Sequence, residues 1–154
     1  MLAIVLTLYG CQDVPAELTE QKKNAIVTEI KERLAGYHEA VKRKDVEWFR
    51  EFWANEKEFA AALDGDLSTD YQSWFEKNYV EALPGIKEVL YLKFADGKAG
   101  IVNEDAVTYA TSFDWGMITT TNDTIQSKGS IIYVFRRKDG IWKCIQTAGT
   151  HKYY

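Results

Sequence analysis

The stretch Gly129–Thr150, GSIIYVFRRKDGIWKCIQTAGT, decides the architecture. Two runs of β-formers, Ile131–Arg137 and Ile141–Thr147, flank Asp139-Gly140, a dipeptide suited to the positive φ angles of a tight hairpin turn. A two-residue loop there predicts Val134 opposite Ile145 and Tyr133 opposite Gln146. Ile132, Val134 and Ile145 then share one face, and Tyr133, Phe135 and Trp142 the other. A sheet with one wet face alternates more cleanly, so this hairpin is expected to be covered on both sides. The chain's own helices would form one cover and a partner subunit the other.

Outward from the hairpin, the preceding strand-like run is Ala106–Thr121. Val107, Tyr109, Thr111, Phe113, Trp115 and Met117 fall on a bulky face, and Ala106, Thr108, Ala110, Ser112, Asp114 and Gly116 on a small one. Gly116 is a candidate bulge that would move Asp114 across. Ile86–Ala95 reads as a strand ending at the Asp96-Gly97 turn, with a return strand beginning at Gly100–Asn103. Upstream, Leu18–Lys44 is helical in pattern, with Ile26, Ile30, Leu34, Tyr37 and Val41 on one stripe. Gly36 within it permits a bend or close packing. Asp45 is a candidate N-cap for a short helix, Val46–Ala54, whose Trp48, Phe49, Phe52 and Trp53 make one aromatic side. Glu56–Leu63 reads as a short edge strand closed by Asp64-Gly65-Asp66. Ser68 or Thr69 would cap a helix to about Glu81, closed by Pro84-Gly85.

The chain has 154 residues, enough for one domain with a sizeable core. Its net charge of −4, without a long basic run, points away from nucleic acid. Two cysteines, Cys11 and Cys144, are too few for a disulfide framework. Met1–Gly10, MLAIVLTLYG, is apolar and too short to span a bilayer. Leu8-Tyr9-Gly10-Cys11 resembles the lipobox of bacterial lipoproteins. That implies a signal peptide over residues 1–10, lacking the usual basic start, then a lipidated Cys11 with a tether over residues 11–17 and one domain over residues 18–154. The lipid would hold the domain at a membrane of the bacterial cell envelope without a spanning helix.

The order of helices followed by long antiparallel strands is α+β. With its long first helix, the run AVKRKDVEWFREFW, the Asp64-Gly65 turn, the Ile86–Phe94 strand and the ending VFRRKDGIWKCIQTAGTH, the chain resembles the nuclear transport factor 2-like superfamily, most closely its SnoaL-like members. The resemblance covers about residues 18–151. It implies a curved antiparallel sheet wrapped around about three helices as an open cone, and homodimers formed through the outer sheet face. Relatives include isomerases, dehydratases, cyclases and hydrolases of apolar small molecules, besides proteins that only bind. Many carry a His at or near the place of Gln146, so the resemblance points away from a site built on that His.

Among individual residues, Asp114 is the candidate acid–base group. Between Phe113 and Trp115, a partly desolvated carboxylate suits proton transfer. The competing reading is an outward Asp at an interface. Asp64, in its DGD context, reads as a turn residue, and His151 as a residue able to reach the cone mouth. Tyr37, Trp53, Tyr71, Trp74 and Trp115 are candidate ligand-lining rings, with Gln146 and His151 beside them; equally, the rings would fill the cone. Cys144 reads as a buried structural thiol. No phosphate loop and no metal-ligand spacing appears, so neither cofactor nor metal is expected. Three functions follow in order: a lipoprotein that binds a small apolar or aromatic molecule unchanged, an isomerase, dehydratase or cyclase using Asp114, and a protein-interaction module with a filled cone.

Overall fold

The computed structural model describes residues 18–154; the signal and Cys11 readings fall on residues outside that range. Helix α1, Glu20–Arg43, is capped by Thr19, whose hydroxyl accepts from the Lys22 N–H at 3.3 Å. It buries Ile26, Ile30, Leu34, Ala40 and Val41; of the stripe read from the sequence only Tyr37 is half-buried, and Ala40 joins it. Gly36 is a site of close packing: a Cβ there would stand 2.9 Å from the Trp48 ring. Asp45 caps α2, Val46–Phe52, by accepting from the Trp48 N–H at 3.0 Å. Phe49 and Phe52 of α2 are wholly buried, and on the order of 2–3 kcal/mol of transfer free energy attends each.

Strands β1, Ala60–Leu63, and β2, Asp66–Ser68, form a hairpin over Asp64 and Gly65, whose φ angles are 55° and 94°. The cap of α3, Tyr71–Phe75, is Asp70 rather than Ser68 or Thr69. Its two carboxylate oxygens take one donor each, Oδ1 the Gln72 N–H at 3.0 Å and Oδ2 the Ser73 hydroxyl at 2.6 Å. The helix then widens into a π-helical turn, Glu76–Glu81, before a short 3₁₀ turn at Leu83–Gly85. Strands β3 (Ile86–Phe94), β4 (Lys98–Asn103), β5 (Ala106–Thr119), β6 (Thr124–Lys138) and β7 (Ile141–Tyr153) follow.

The seven strands form one sheet in the order β2-β1-β7-β6-β5-β3, with β4 also paired to β5. The sheet is mixed, not antiparallel throughout. β1 runs parallel to β7, pairing Ala60 with Gln146 and Leu63 with Gly149. β1 therefore lies inside the sheet, and β2 takes the edge position expected for it.

The β6–β7 hairpin turns at Asp139 and Gly140, with φ angles of 51° and 79°, as its dipeptide predicts. Its register departs from the simple count. Phe135 faces Cys144 but Val134 faces Gln146, which leaves Ile145 as a bulge, and Tyr133 meets Thr147 instead of Gln146. The bulge reverses the alternation along β7. Trp142 and Cys144 are buried before it, and Thr147 after it. It lies where β7 exchanges its parallel bridge to Trp53 for pairing with β1 at Ala60. Tyr133 and Phe135 face the helices, whereas Ile132, beside the exposed Ala110 and Ala148, faces outward at 47% exposure. Glu29 ties α1 to the hairpin by accepting from Arg137 at 2.5 Å and from Trp142 Nε1 at 2.6 Å.

Candidate functional site

Inside the curve of the sheet is a cavity of about 310 Å³. Its wall comes from α1 (Tyr37, Val41), the residue after α2 (Trp53), the α3 and π-helical segment (Trp74, Asn78, Tyr79) and the inner face of the sheet (Phe113, Trp115, Met117, Ile131, Tyr133, Thr147, His151). The π turn has a direct effect here. Its wider pitch follows Trp74 with Tyr79 on the inner side, and Tyr79 stacks on Phe49 at 4.3 Å.

The inner end is the most buried part: Trp53, Tyr133 and Tyr79 are 2%, 3% and 5% exposed. There, Trp53 Nε1 donates to the Tyr79 hydroxyl at 2.8 Å, and the Tyr37 and Tyr79 hydroxyls are 3.1 Å apart. Burial pushes the Tyr37 phenol up to about 12, and pushes those of Tyr79 and Tyr133 well above the ordinary value. All three are therefore neutral at physiological pH.

At the rim, Asp64 and His151 come together across 87 residues of sequence. One carboxylate oxygen of Asp64 accepts from the His151 backbone N–H at 2.6 Å, and the other stands 2.8 Å from its Nδ1. The left-handed turn aims this carboxylate, and the parallel β1–β7 pairing brings it to β7, where the Asp64 N–H donates to the Gly149 carbonyl at 3.1 Å. Phe113 and Tyr153 flank the imidazole, with ring centroids at 4.9 and 6.0 Å. With Nδ1 held by a carboxylate, Nε2 is the nitrogen left for chemistry. The arrangement can bind an apolar ring and exchange a proton with it at one edge.

Of the residues singled out from the sequence, Tyr37, Trp53, Trp74, Trp115 and His151 line this cavity. Tyr71 does not; it is buried against Phe59 and Phe75, at 5.3 and 5.4 Å. Gln146 also lies off the cavity, donating from Nε2 to the Glu58 carbonyl at 3.0 Å. Asp114 is on the outer face of the sheet, where it accepts from the Tyr154 hydroxyl at 2.9 Å. The pairing of β5 with β6 runs unbroken from Ala106 to Ile118, so no bulge at Gly116 carries Asp114 inward there. Gly116 instead makes room for the Tyr91 ring, which would stand 2.7 Å from a Cβ. Cys144 is fully buried and burial pushes its thiol well up, in keeping with a structural role. Sequence reasoning missed Tyr79 and Tyr133 as cavity residues and the pairing of Asp64 with His151. Among the described residues no group of three or more His, Cys, Asp or Glu is placed to hold a metal ion.

No family model matches the chain, and no curated protein matches it by sequence. Solved structures do match. A hexachlorocyclohexane dehydrochlorinase from Novosphingobium barchaimii aligns at a TM-score of 0.71 and 12% identity, covering 88% of this chain and 93% of its own. A candidate scytalone dehydratase from Novosphingobium aromaticivorans aligns at 0.75 and 9% identity, over 88% and 89%. An NTF2-like superfamily protein from Salmonella enterica aligns at 0.72 and 12% identity, over 82% and 91%. At such identities the likeness is one of fold. The described chain is thus an α+β cone of the nuclear transport factor 2-like kind.

Proposed function

We propose that this domain takes a small, largely apolar, ring-bearing molecule into its cone, and that His151, oriented by Asp64, exchanges a proton with it at the rim. The observation that carries this reading is the Asp64–His151 pair beside an otherwise apolar cavity. Asp64 holds the imidazole in the tautomer with a free Nε2 lone pair, the form a general base requires. A dehydrochlorinase and a candidate dehydratase among the similar structures support elimination as the reaction class. The acid–base role read for Asp114 passes in this proposal to His151. The test is native mass spectrometry of the protein from its own host, followed by offering the identified ligand to wild type and His151→Gln. Turnover by wild type and its loss in the variant support the reading; equal turnover by both overturns it.

A second reading is binding without transformation. It is favoured by His151 being, among the described residues, the only histidine on the cavity wall, with no described aspartate or glutamate lining it. A co-purifying ligand that wild type leaves unchanged would select it. An open cavity supports either reading over an interaction module with a filled cone.

The cell address and assembly belong to the same proposal. A lipid on Cys11 would hold the domain at the envelope membrane, and Cys11→Ser should release it into the soluble fraction. The exposed outward row of Ala110, Ile132 and Ala148 supports pairing of two copies through the outer sheet face.

A further inference from the structure

The outer face of the sheet carries a row of charge that the fold itself does not use. Lys93, Asp114, Lys128 and Lys152 stand directly opposite one another on β3, β5, β6 and β7. The three lysines are exposed, and among the described residues none has a carboxylate within ion-pair distance. Asp114, the one acid in the row, is held by the Tyr154 hydroxyl at 2.9 Å. Lys93 and Lys128 rest over the Tyr91 and Tyr154 rings, 5.6 and 5.7 Å from their centroids. Lys128 and Lys152 face each other as like charges, an arrangement that costs stability. That cost is borne in a chain whose carboxylates outnumber its lysines and arginines 23 to 19, so acids to relieve it are not scarce.

Beside this row lies one of hydroxyls, Ser112, Ser130 and Thr150, also in register on β5, β6 and β7. All three are exposed, and their hydroxyls make no hydrogen bond among the described residues. The three lysines, Asp114, Ser112 and Ser130 border a shallow trough. Three ammonium groups against one carboxylate leave it a surplus of two positive charges. Apart from Asp114, every polar side chain there can donate a proton. The surplus matches a phosphate group, with two negative charges and several acceptor oxygens, better than a carboxylate with one. Lys128 is four residues, roughly 13 Å, along β6 from Ile132, so the trough lies clear of the apolar outer row.

We propose that Lys93, Lys128 and Lys152 form a second site, on the opposite side of the sheet from the cone, that binds a phosphate group, with the Ser112 and Ser130 hydroxyls donating to its oxygens. A soluble phosphorylated compound and the phosphomonoester headgroup of a lipid offer the same chemistry. The test titrates inorganic phosphate into the purified protein at constant ionic strength, with chloride as the replaced ion, and follows backbone amide shifts by NMR. Phosphate should bind with a Kd on the order of 1–10 mM. The amides of residues 112–114, 128–130 and 150–152 should move together along one saturating curve. The double variant Lys128→Gln, Lys152→Gln should weaken binding at least tenfold, while its Tm without phosphate stays equal or rises because the like-charge pair is gone. Lys93→Gln alone should weaken binding about threefold and serves if the double variant fails to fold. Shifts spread evenly over the lysines of the whole surface, a response that does not saturate, or equal binding by the variants overturns the proposal. Sedimentation with phosphatidic acid vesicles, reversed by free phosphate, assigns the group to a lipid; no sedimentation alongside saturable phosphate binding assigns it to a soluble compound. The lysine variants should leave ligand binding in the cone unchanged, so failure here leaves the reading of the cone standing.

Discussion

Asp64 holds His151 twice, by its backbone and by its ring, and the two contacts predict different losses. Asp64→Asn keeps an oxygen for the His151 N–H but offers Nδ1 a neutral partner. The fold should survive while turnover of the native ligand falls by roughly 10²-fold or more, as for a general base that has lost its tautomer control. His151→Gln should lose at least as much turnover, with ligand affinity changed by less than about threefold because the apolar wall is intact. Separate measurement of kcat and Kd checks both. The residue scale is also where the sequence was hardest to read. Asp114 had the chemistry of an acid–base group, yet the alternation of β5 faces it outward to Tyr154. Asp64 looked like an ordinary turn residue because its partner is 87 positions away, and local patterns carry no such pairing. Five of the ring and imidazole candidates were legible because helical and strand periodicity decides which way a side chain faces.

At the scale of elements, the tightest joint is between β6 and β7. A Cβ at Gly129 would run into the Thr150 carbonyl oxygen and the Phe113 ring, and the backbone half of that clash has no flexible end to move. Gly129→Ala should cost about 2–3 kcal/mol in chemical denaturation. Gly85→Ala, where nothing stands within 4 Å, should stay within about 0.5 kcal/mol and serves as the control. The β6–β7 hairpin, α1 and the Asp64-Gly65 and Asp139-Gly140 turns were legible, since each is written in a local period or a turn dipeptide, whereas Asp96-Gly97 makes no hairpin: β3 and β4 both run antiparallel to β5, so β4 is not a return strand. The π turn was not, because the Glu76–Glu81 stretch carries an ordinary helical composition and the widening answers to tertiary packing of Tyr79 on Phe49. Nor was the parallel partner of β1, since a four-residue strand of mostly alanine says nothing of its neighbour.

The whole molecule has an alkaline weakness that follows from its buried phenols. Burial pushes Tyr37 up to about 12 and raises Tyr79 and Tyr133 well above the ordinary value, whereas the unfolded chain ionises its tyrosines near 10. Above about pH 10 the unfolded state therefore binds fewer protons than the folded one, and stability falls as pH rises. Tyrosinate absorbance should rise first for the exposed tyrosines and reach these three only on unfolding, with circular dichroism lost in the same step. A direct titration to pH 12 checks this. Assembly is the other property at this scale. If the row of Ala110, Ile132 and Ala148 covers a second copy, Ile132→Lys should convert a dimer into a monomer in light scattering without changing the melting of the isolated cone by more than a few degrees. The α+β order and the cone were legible because they depend on the sequence of element types. The cavity was not, since its volume is what remains after every ring has found its rotamer.

The bulge at Ile145 makes the spacing of β7 matter as much as its composition. With Trp142 and Cys144 pointing inward, an uninterrupted strand would send His151 to the outside, and the extra residue is what turns it to the cavity. The proposed site thus depends on residue count and bulge together: the odd number of steps from Trp142 to His151 brings both side chains inward only because the bulge takes Ile145 out of the alternation. Deleting Ile145 removes the bulge and its extra residue together, so Gln146 still meets Val134 and His151 still meets Gly129; the expected product is a folded protein whose imidazole keeps its place on the cavity wall and its wild-type rate of reaction with diethyl pyrocarbonate.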